Sequence, residues 1–252
     1  MSLLDIQSVQ RRLPGRRVEW FDSIDSTMHE AERLATAGAP AGTAVVAEEQ
    51  TAGLGRHGHS WYSELGAGLY VSIVLRPGLS ADSLPVLMIA LGLAAADAIH
   101  RVTALDADLR WPNDVMLGGR KVAGILVQLH DNVAIAGIGI NVNHAAFPEE
   151  IAGEATSLRI AAGALQSRED VLVALLQAVD SFSKMLAEGG KQPILDLFSR
   201  CSSYARGKRV RVALPEGILE GTTAGLDPSG FLIVRREDGS EALVLAGGVR
   251  AV

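Results

Sequence analysis

Apolar positions recur along the chain at two spacings, and the switches between them mark out its elements. Runs rich in β-branched residues at 43–50, 69–76, 122–129 and 133–142 predict strands, with shorter ones at 18–21 and 109–111. His130-Asp131-Asn132 reads as a hairpin-like turn between the third and fourth runs. Helical spacing takes over elsewhere. Thr27-Met28-His29-Glu30 fits a capping box opening a helix that Gly38 closes. Residues 84–100 form an apolar helix with Pro85 tolerated in its first turn. Ser167-Arg168-Glu169-Asp170 starts another, with Val171, Leu175, Val179, Phe182 and Leu186 on one face and Gly189 at its end. After Ser203 the pattern becomes short β-branched segments at 209–214, 231–234 and 242–245, separated by Gly, Pro and Asp turns.

Strands and helices before Ser203 do not strictly alternate, so the expected fold is α+β: a mixed β-sheet with helices on one face. The expected division is 1–203 for this domain and 204–252 for a small all-β module, which is short enough to need packing against the rest. The longest apolar stretch, 84–96 between Asp82 and Asp97, falls short of the ~20 residues of a membrane span and reads as a buried helix.

Charge and cysteine content narrow the setting. With 23 basic and 29 acidic side chains, the chain has no whole-surface attraction to nucleic acid or anionic membrane, although a local basic patch stays open. A single cysteine, Cys201, permits no intramolecular disulfide and reads as a small core hydrophobe. The N-terminal residues lack the basic start and apolar core of a secretory signal, so a cytoplasmic location is expected.

Four segments carry candidate chemistry. Gln50-Thr-Ala-Gly53-Leu54-Gly55-Arg56-His57-Gly58-His59-Ser60-Trp61 follows a strand; its glycines let backbone N–H groups approach an anion, and Arg56 adds a fixed charge. Gly53, Gly55 and Gly58 also spell the dinucleotide fingerprint, but that motif must open a helix, and here the chain runs on through Trp61 and Tyr62 towards a strand. Arg110-Trp111-Pro112-Asn113-Asp114 reads either as a capped turn or as a ligand wall. Lys121 is a solvated edge charge or a phosphate-neutralising cation. Gly137-Ile-Gly139-Ile-Asn141-Val-Asn143 suits close backbone approach to a ligand. His57 and His59, without a further ligand cluster, do not make a metal site.

In order and spacing these segments resemble the biotin protein ligase family: Ser26-Thr27, the glycine loop, Leu69-Tyr70-Val71-Ser72, Arg110 to Asp114, Lys121 to Leu126, Gly137 to Asn143, then the β module. The resemblance covers essentially the whole chain. It implies a catalytic domain similar to class II aminoacyl-tRNA synthetases, followed by a small barrel similar to Src-homology-3 domains. It also implies a two-step reaction: biotin and ATP, with Mg2+, give biotinyl-AMP, and a lysine of a biotin carboxyl carrier protein then takes the biotinyl group. Arg56, Lys121 and Asp114 match the catalytic positions. Ser26, Thr27, Gln50, Gly53, Leu54, Trp61 and Lys121 match those that hold biotin. Arg56, His59, Trp111, Asn113, Lys121 and Asn141 match those that hold the nucleotide. A lipoate or octanoate ligase of the same fold, and a non-catalytic biotin-binding module, remain as alternatives.

Two tensions accompany these matches. Ser26 or Thr27 can cap the following helix, and one hydroxyl can hardly cap and bind at once; Trp61 and Trp111 can equally be core. The chain also departs from the family, with Leu54 and His59 where arginine is common, Arg110 for lysine and Met28 for asparagine. His59 makes any phosphate contact there weaker or pH-dependent. Only residues 1–25 precede Ser26, too few for the winged helix-turn-helix of the family's repressors, so no DNA binding is expected. An exposed sheet edge would suit the acceptor, and a homodimer could use the same surface.

Overall fold

Which face of each strand is covered decides where the chain can place functional groups. The computed structural model describes residues 3–78, 83–130, 132–214 and 217–252. The turn residue Asp131 and the side chain of His57, both singled out above, lie outside the described part. β1 (Val18–Phe21), β2 (Ala44–Ala47), β3 (Leu69–Leu75), β4 (Asp108–Arg110), β5 (Asp114–Leu117), β6 (Arg120–His130) and β7 (Val133–Ile140) form one sheet in the order β1-β2-β3-β7-β6-β5-β4. β1 and β2 run parallel and the other neighbours antiparallel, so the sheet is mixed as expected.

One face carries Leu69, Val71, Ile73 and Leu75 of β3 with Ala134, Ala136, Ile138 and Ile140 of β7, and belongs to the main core. α3 (Leu84–Thr103) and α6 (Arg168–Gly189) pack on each other within that core. α3 is 20 residues long, enough by length and composition to cross a bilayer, but twelve of them are buried in this fold. The helices are not confined to one face, which corrects the expectation. α2 (Thr27–Thr36) lies on the other, where Met28, Ala31 and Leu34 meet Val45, Val74 and Ile135. β3 is accordingly buried at all seven positions, as a strand covered on both faces must be.

The start of α2 differs from the capping box read in the sequence. Ser26 is the N-cap, its Oγ accepting from Met28 N at 3.3 Å, while Thr27 is already helical and Glu30 pairs with Arg33. α1 (Ile6–Arg12), β5 and α7 (Lys191–Cys201) were not anticipated, and short helices α4 (Glu149–Ala152) and α5 (Leu158–Ala162) lie between β7 and α6. Cys201 is exposed rather than a core residue.

β8 (Arg206–Leu214), β9 (Gly217–Leu226), β10 (Leu232–Arg235), β11 (Glu241–Val244) and β12 (Gly248–Ala251) form a second, antiparallel sheet in the order β11-β10-β9-β8-β12. Val210, Val212, Leu232, Val234, Val244 and Val249 share the main hydrophobic core. Trp111 Nε1 donates to Gly230 O at 2.9 Å, so the second sheet is fastened directly to the strand end that carries candidate site residues.

A buried ion pair fixes the segment between β2 and β3. Arg168, in the first turn of α6, donates to Glu48 Oε2 at 2.7 Å and to Gly68 O at 3.2 Å, while Glu48 Oε1 accepts from Leu4 N. Glu48 and Arg168 are 1% and 5% exposed. Removing one partner leaves an uncompensated buried charge, so Arg168→Met is expected to destabilise the fold by about 3–5 kcal/mol in urea unfolding. A loss below about 1 kcal/mol would show that water or another cation takes its place.

Candidate functional site

The α2 face of the sheet is read most simply as two rows running across the strands. Asp114, Gly124, Gly139 and Tyr70 are successive cross-strand partners on β5, β6, β7 and β3. Leu126, Gly137, Ser72 and Val45 form the next row. The glycines make this face concave. A Cβ on Gly139 would fall within the Trp61 indole; one on Gly124 would lie 2.8 Å from Trp61 Cζ3 and 2.9 Å from Lys121 Cε; one on Gly137 would lie 2.6 Å from Met28 Sδ. No side chain larger than hydrogen fits these positions without displacing Trp61, Lys121 or Met28.

Residues 50–61 roof the resulting slot. Gly55 N donates to His59 O at 2.7 Å and Trp61 N to Gly53 O at 2.9 Å, so the loop doubles back on itself around a single 3-10 turn, Arg56–Gly58. It does not open an α-helix, which disposes of the dinucleotide reading. The slot encloses about 450 Å³, including space open to solvent.

Its two ends differ in chemistry. At one, Thr27 Oγ1 lies 2.8 Å from Ser72 Oγ, and Gln50 Oε1 accepts from Thr27 N at 2.9 Å and Thr27 Oγ1 at 3.0 Å. Gln50 Nε2 donates to Ser63 Oγ. The division of labour left open by the sequence is therefore resolved: Ser26 caps α2, and Thr27 turns its hydroxyl into the slot. At the other end, Lys121 Nζ stands 2.6 Å from Asp114 Oδ1 and 5.3 Å from the centre of the Trp61 ring, while Arg110 Nη2 lies 2.8 Å from Asp114 Oδ2. Arg56 Nη1 donates to Asn113 Oδ1 at 2.9 Å.

The electrostatics follow from these pairings. Burial opposes ionisation of Asp114, but Lys121 and Arg110 outweigh it and hold its carboxyl below the usual range. Burial disfavours the Arg56 cation, which Asp114 only partly offsets, and its hydrogen-bond partner is a neutral amide. A desolvated guanidinium of this kind is poised to gain an anion.

Beyond Arg56 and Lys121 the slot opens into a wider cleft of about 1770 Å³, again counting open space. Gly55, Arg56, Trp61, Asn113 and Lys121 line both. Trp111, Phe147, Ile151 and Ala155 give the outer cleft an apolar part; His59, Asn141 and Arg250 add polar groups. The second sheet closes one side through Ala213 and the turn before β12.

Most of the residues picked out in the sequence thus converge. Thr27, Gln50, Leu54, Arg56, Trp61, Asn113 and Lys121 line the slot; His59, Trp111, Asp114 and Asn141 line the outer cleft. Trp111 is also a strut, 2% exposed and bonded to Gly230. Asn141 spends its amide on Thr156 O. Ser26 and Gly53 stand behind the lining; Gly53 is confined by Trp61 O and Gln50. Tyr70, Ser72, Phe147, Ile151 and Arg250 were not singled out as site residues. The period of two in 69–72 could have flagged the first two, whereas nothing local marks the others.

Behind the cleft, His144 is fully buried, stacked 5.1 Å from Phe147 and with Nε2 3.4 Å from Tyr70 Oη. Burial pushes its pKa down to about 4. Folding therefore requires neutral His144: the unfolded chain takes up a proton near pH 6.5, the folded one only near 4, so stability falls as pH drops through that window. Between pH 7 and pH 5 a loss of about 2 kcal/mol is expected from this group, and His144→Leu should flatten the pH dependence of the urea midpoint. An equal slope in the variant would contradict the assignment.

The Biotin/lipoate A/B protein ligase family matches residues 20–144, and the Biotin protein ligase C terminal domain matches residues 206–249. The chain is 33% identical to the biotin–[acetyl-CoA-carboxylase] ligase of Mycobacterium tuberculosis over 97% of its own length and 94% of that protein. It is 34% identical to the bifunctional ligase/repressor BirA of Bacillus spizizenii, over 92% of this chain and 73% of the relative. The structure of a biotin protein ligase from Aquifex aeolicus in complex with biotin and ATP superimposes with a TM-score of 0.84 at 34% identity, covering 94% of this chain and 99% of that one.

Proposed function

The chain belongs to the biotin protein ligase family, and from that premise we propose that it activates biotin with ATP across the slot and the outer cleft and passes the biotinyl group to a lysine of a biotin carboxyl carrier protein. The observation that carries this reading is the seam between the two cavities. Arg56 and Lys121 line both, so an acid in the slot and a nucleotide in the cleft meet beneath two cations. Bringing a carboxylate to a polyphosphate needs this compensation, and preorganised charge is most effective in a partly desolvated site.

In the first step a biotin carboxylate oxygen attacks the α-phosphorus, and the bond to the β-phosphate oxygen breaks, releasing pyrophosphate. Arg56 and Lys121 stabilise the charge gathering on the α-phosphoryl oxygens. In the second, the lysine amine attacks the acyl carbon, AMP leaves, and the nitrogen loses a proton. Asp114, kept ionised by Lys121 and Arg110, is too weak a base to strip that proton but is placed to accept a hydrogen bond from the amine and orient it. Mg2+ bound with the nucleotide would offset phosphate charge; the cleft carboxylates Asp114 and Glu154, already paired with cations, are the side chains that would face it.

Thr27, Gln50 and Ser72 favour biotin over lipoate. A ureido ring both donates and accepts hydrogen bonds and can join this network of bonded groups, whereas a dithiolane offers them no comparable partner. The apolar part of the outer cleft, Phe147 and Ile151, is assigned to the base. We place this chemistry in residues 1–203 and in the cytoplasm, with 204–252 as a second module closing the cleft. Pyrophosphate release with biotin, lipoate or octanoate as the acid tests the assignment. Release driven by biotin alone is expected; release driven equally by lipoate would sink it.

A further inference from the structure

We propose that the buried pair of Glu48 and Arg168 positions the glycine loop for the reaction, holding the two stems of residues 50–61 in register so that the roof closes on biotinyl-AMP. The inference rests on reading the slot as the biotin site. Neither Glu48 nor Arg168 lines the slot or the outer cleft, so both act through the loop. The roof is nearly self-contained. Between Gly53 and Trp61 the described backbone bonds join the loop to itself: Gly55 N to His59 O, His59 N to Arg56 O and Trp61 N to Gly53 O. Arg56 reaches Asn113 and Trp61 lies against Gly139, but these contacts face the ligand space. The backbone of the roof is therefore anchored at its stems.

Glu48 joins those stems twice. It follows β2 directly and stands two residues before Gln50. Glu48 O accepts from Gly66 N at 3.2 Å, which ties the departing stem to the returning one. The second tie runs through side chains: Arg168 Nη1 donates to Glu48 Oε2 at 2.7 Å and to Gly68 O at 3.2 Å. Gly68 leads into β3, which brings Tyr70 and Ser72 to the slot, and Tyr70 Oη donates back to Glu64 O at 2.9 Å. Support of the fold does not by itself call for charge here. A buried ion pair adds little net stability over apolar side chains of similar volume, because each charge gives up its hydration. What it adds is direction, since one guanidinium nitrogen holds a carboxylate of one stem and a carbonyl of the other. Leu4 N and Trp20 Nε1 fix Glu48 further, both donating to Oε1. A roof set in register before the ligand arrives loses less freedom on closing, and a closed roof slows escape of the anhydride.

Glu48→Gln combined with Arg168→Met removes both charges together, and the new amide oxygen can still accept from Leu4 N, so no uncompensated charge is left to unfold the chain. In the full chain, release of labelled biotinyl-AMP and the KM values of pyrophosphate release are measured beside the urea midpoint. The double variant is expected to release biotinyl-AMP about tenfold faster and to raise KM for biotin about tenfold, the scale of one lost charge-assisted hydrogen bond, with KM for ATP unchanged within about twofold. Arg168→Lys, whose one ammonium can serve both acceptors that Nη1 serves, should return both values towards the parent. If the double variant moves the urea midpoint but neither the release rate nor KM for biotin, the pair only supports the fold and the proposal fails while the biotin site stands. If KM for biotin and KM for ATP rise together, or Arg168→Lys restores nothing, the pair does not act through the loop stems and the proposal fails too. If the parent chain releases no pyrophosphate with biotin, the assignment of the slot fails and the inference falls with it.

Discussion

Replacing Lys121 by alanine is expected to slow formation of the acyl-adenylate at least about 10²-fold, the range seen when one preorganised charge donor is removed from a reacting centre. Lys121 has three connections that make the loss local. Its Nζ is paired with Asp114, it lies over the Trp61 ring, and its backbone is fixed on both sides by residues 154 and 156. The backbone bonds survive the substitution, so the strand end should stay in place. Asp114 would keep Arg110, whose guanidinium reaches it through both Nε and Nη2. Single-turnover pyrophosphate release measures the step. A rate within a few-fold of the parent, in a folded variant, would remove Lys121 from the chemistry.

Gly139→Ala is expected to weaken biotin binding about 10- to 100-fold while changing KM for ATP much less. The added methyl would occupy the space of the Trp61 indole, between the strand floor and the glycine loop. Overpacking of this kind forces the ring to move at about 1–3 kcal/mol, and the ring here is a wall of the slot. The two positions are in contact, so their effects should not add: Trp61→Phe, with its smaller ring, is expected to recover part of the affinity lost in Gly139→Ala. Strict additivity, or an unchanged KM for biotin in the single variant, would show that Trp61 does not shape the slot.

How far the sequence foretells this site depends on how local each signal is. Gln50 to Trp61 and Arg110 to Asp114 are legible because glycine, proline and short polar side chains constrain their own backbone. The same residues hide β5: Asn113 and Asp114 read as turn formers, yet Asp114 begins a strand, held by its pairing with Gly124. The spacing locates α2 but puts its cap one residue late, because serine and threonine compete equally for the role until Ser72 and Gln50 draw Thr27 away. Three β-branched segments mark out the small module. β9 is hidden in the sequence because Gly217, Gly221 and Gly225 mask an alternation in which Leu219 and Thr223 turn inward. Phe147, Ile151 and Arg250 were beyond reach in the sequence, since they join the site only through the packing of loops and of the second sheet.

The glycine loop contributes less of the slot than its composition suggests. Its glycines let it fold back as a roof, but the concavity beneath belongs to Gly124, Gly137 and Gly139 on the strands. With Leu54 and His59 in place of arginines, the fixed charge of the loop is Arg56 alone, and it acts together with Lys121 across the seam.

Transfer of biotin to a biotin carboxyl carrier domain, followed by mass spectrometry of that domain, separates a ligase from a binding module. With biotin and ATP, one lysine should gain one biotinyl group; without ATP it should gain none, unless preformed biotinyl-AMP is supplied. Tight biotin binding with no transfer under either condition would contradict the account and leave the chain a binding module.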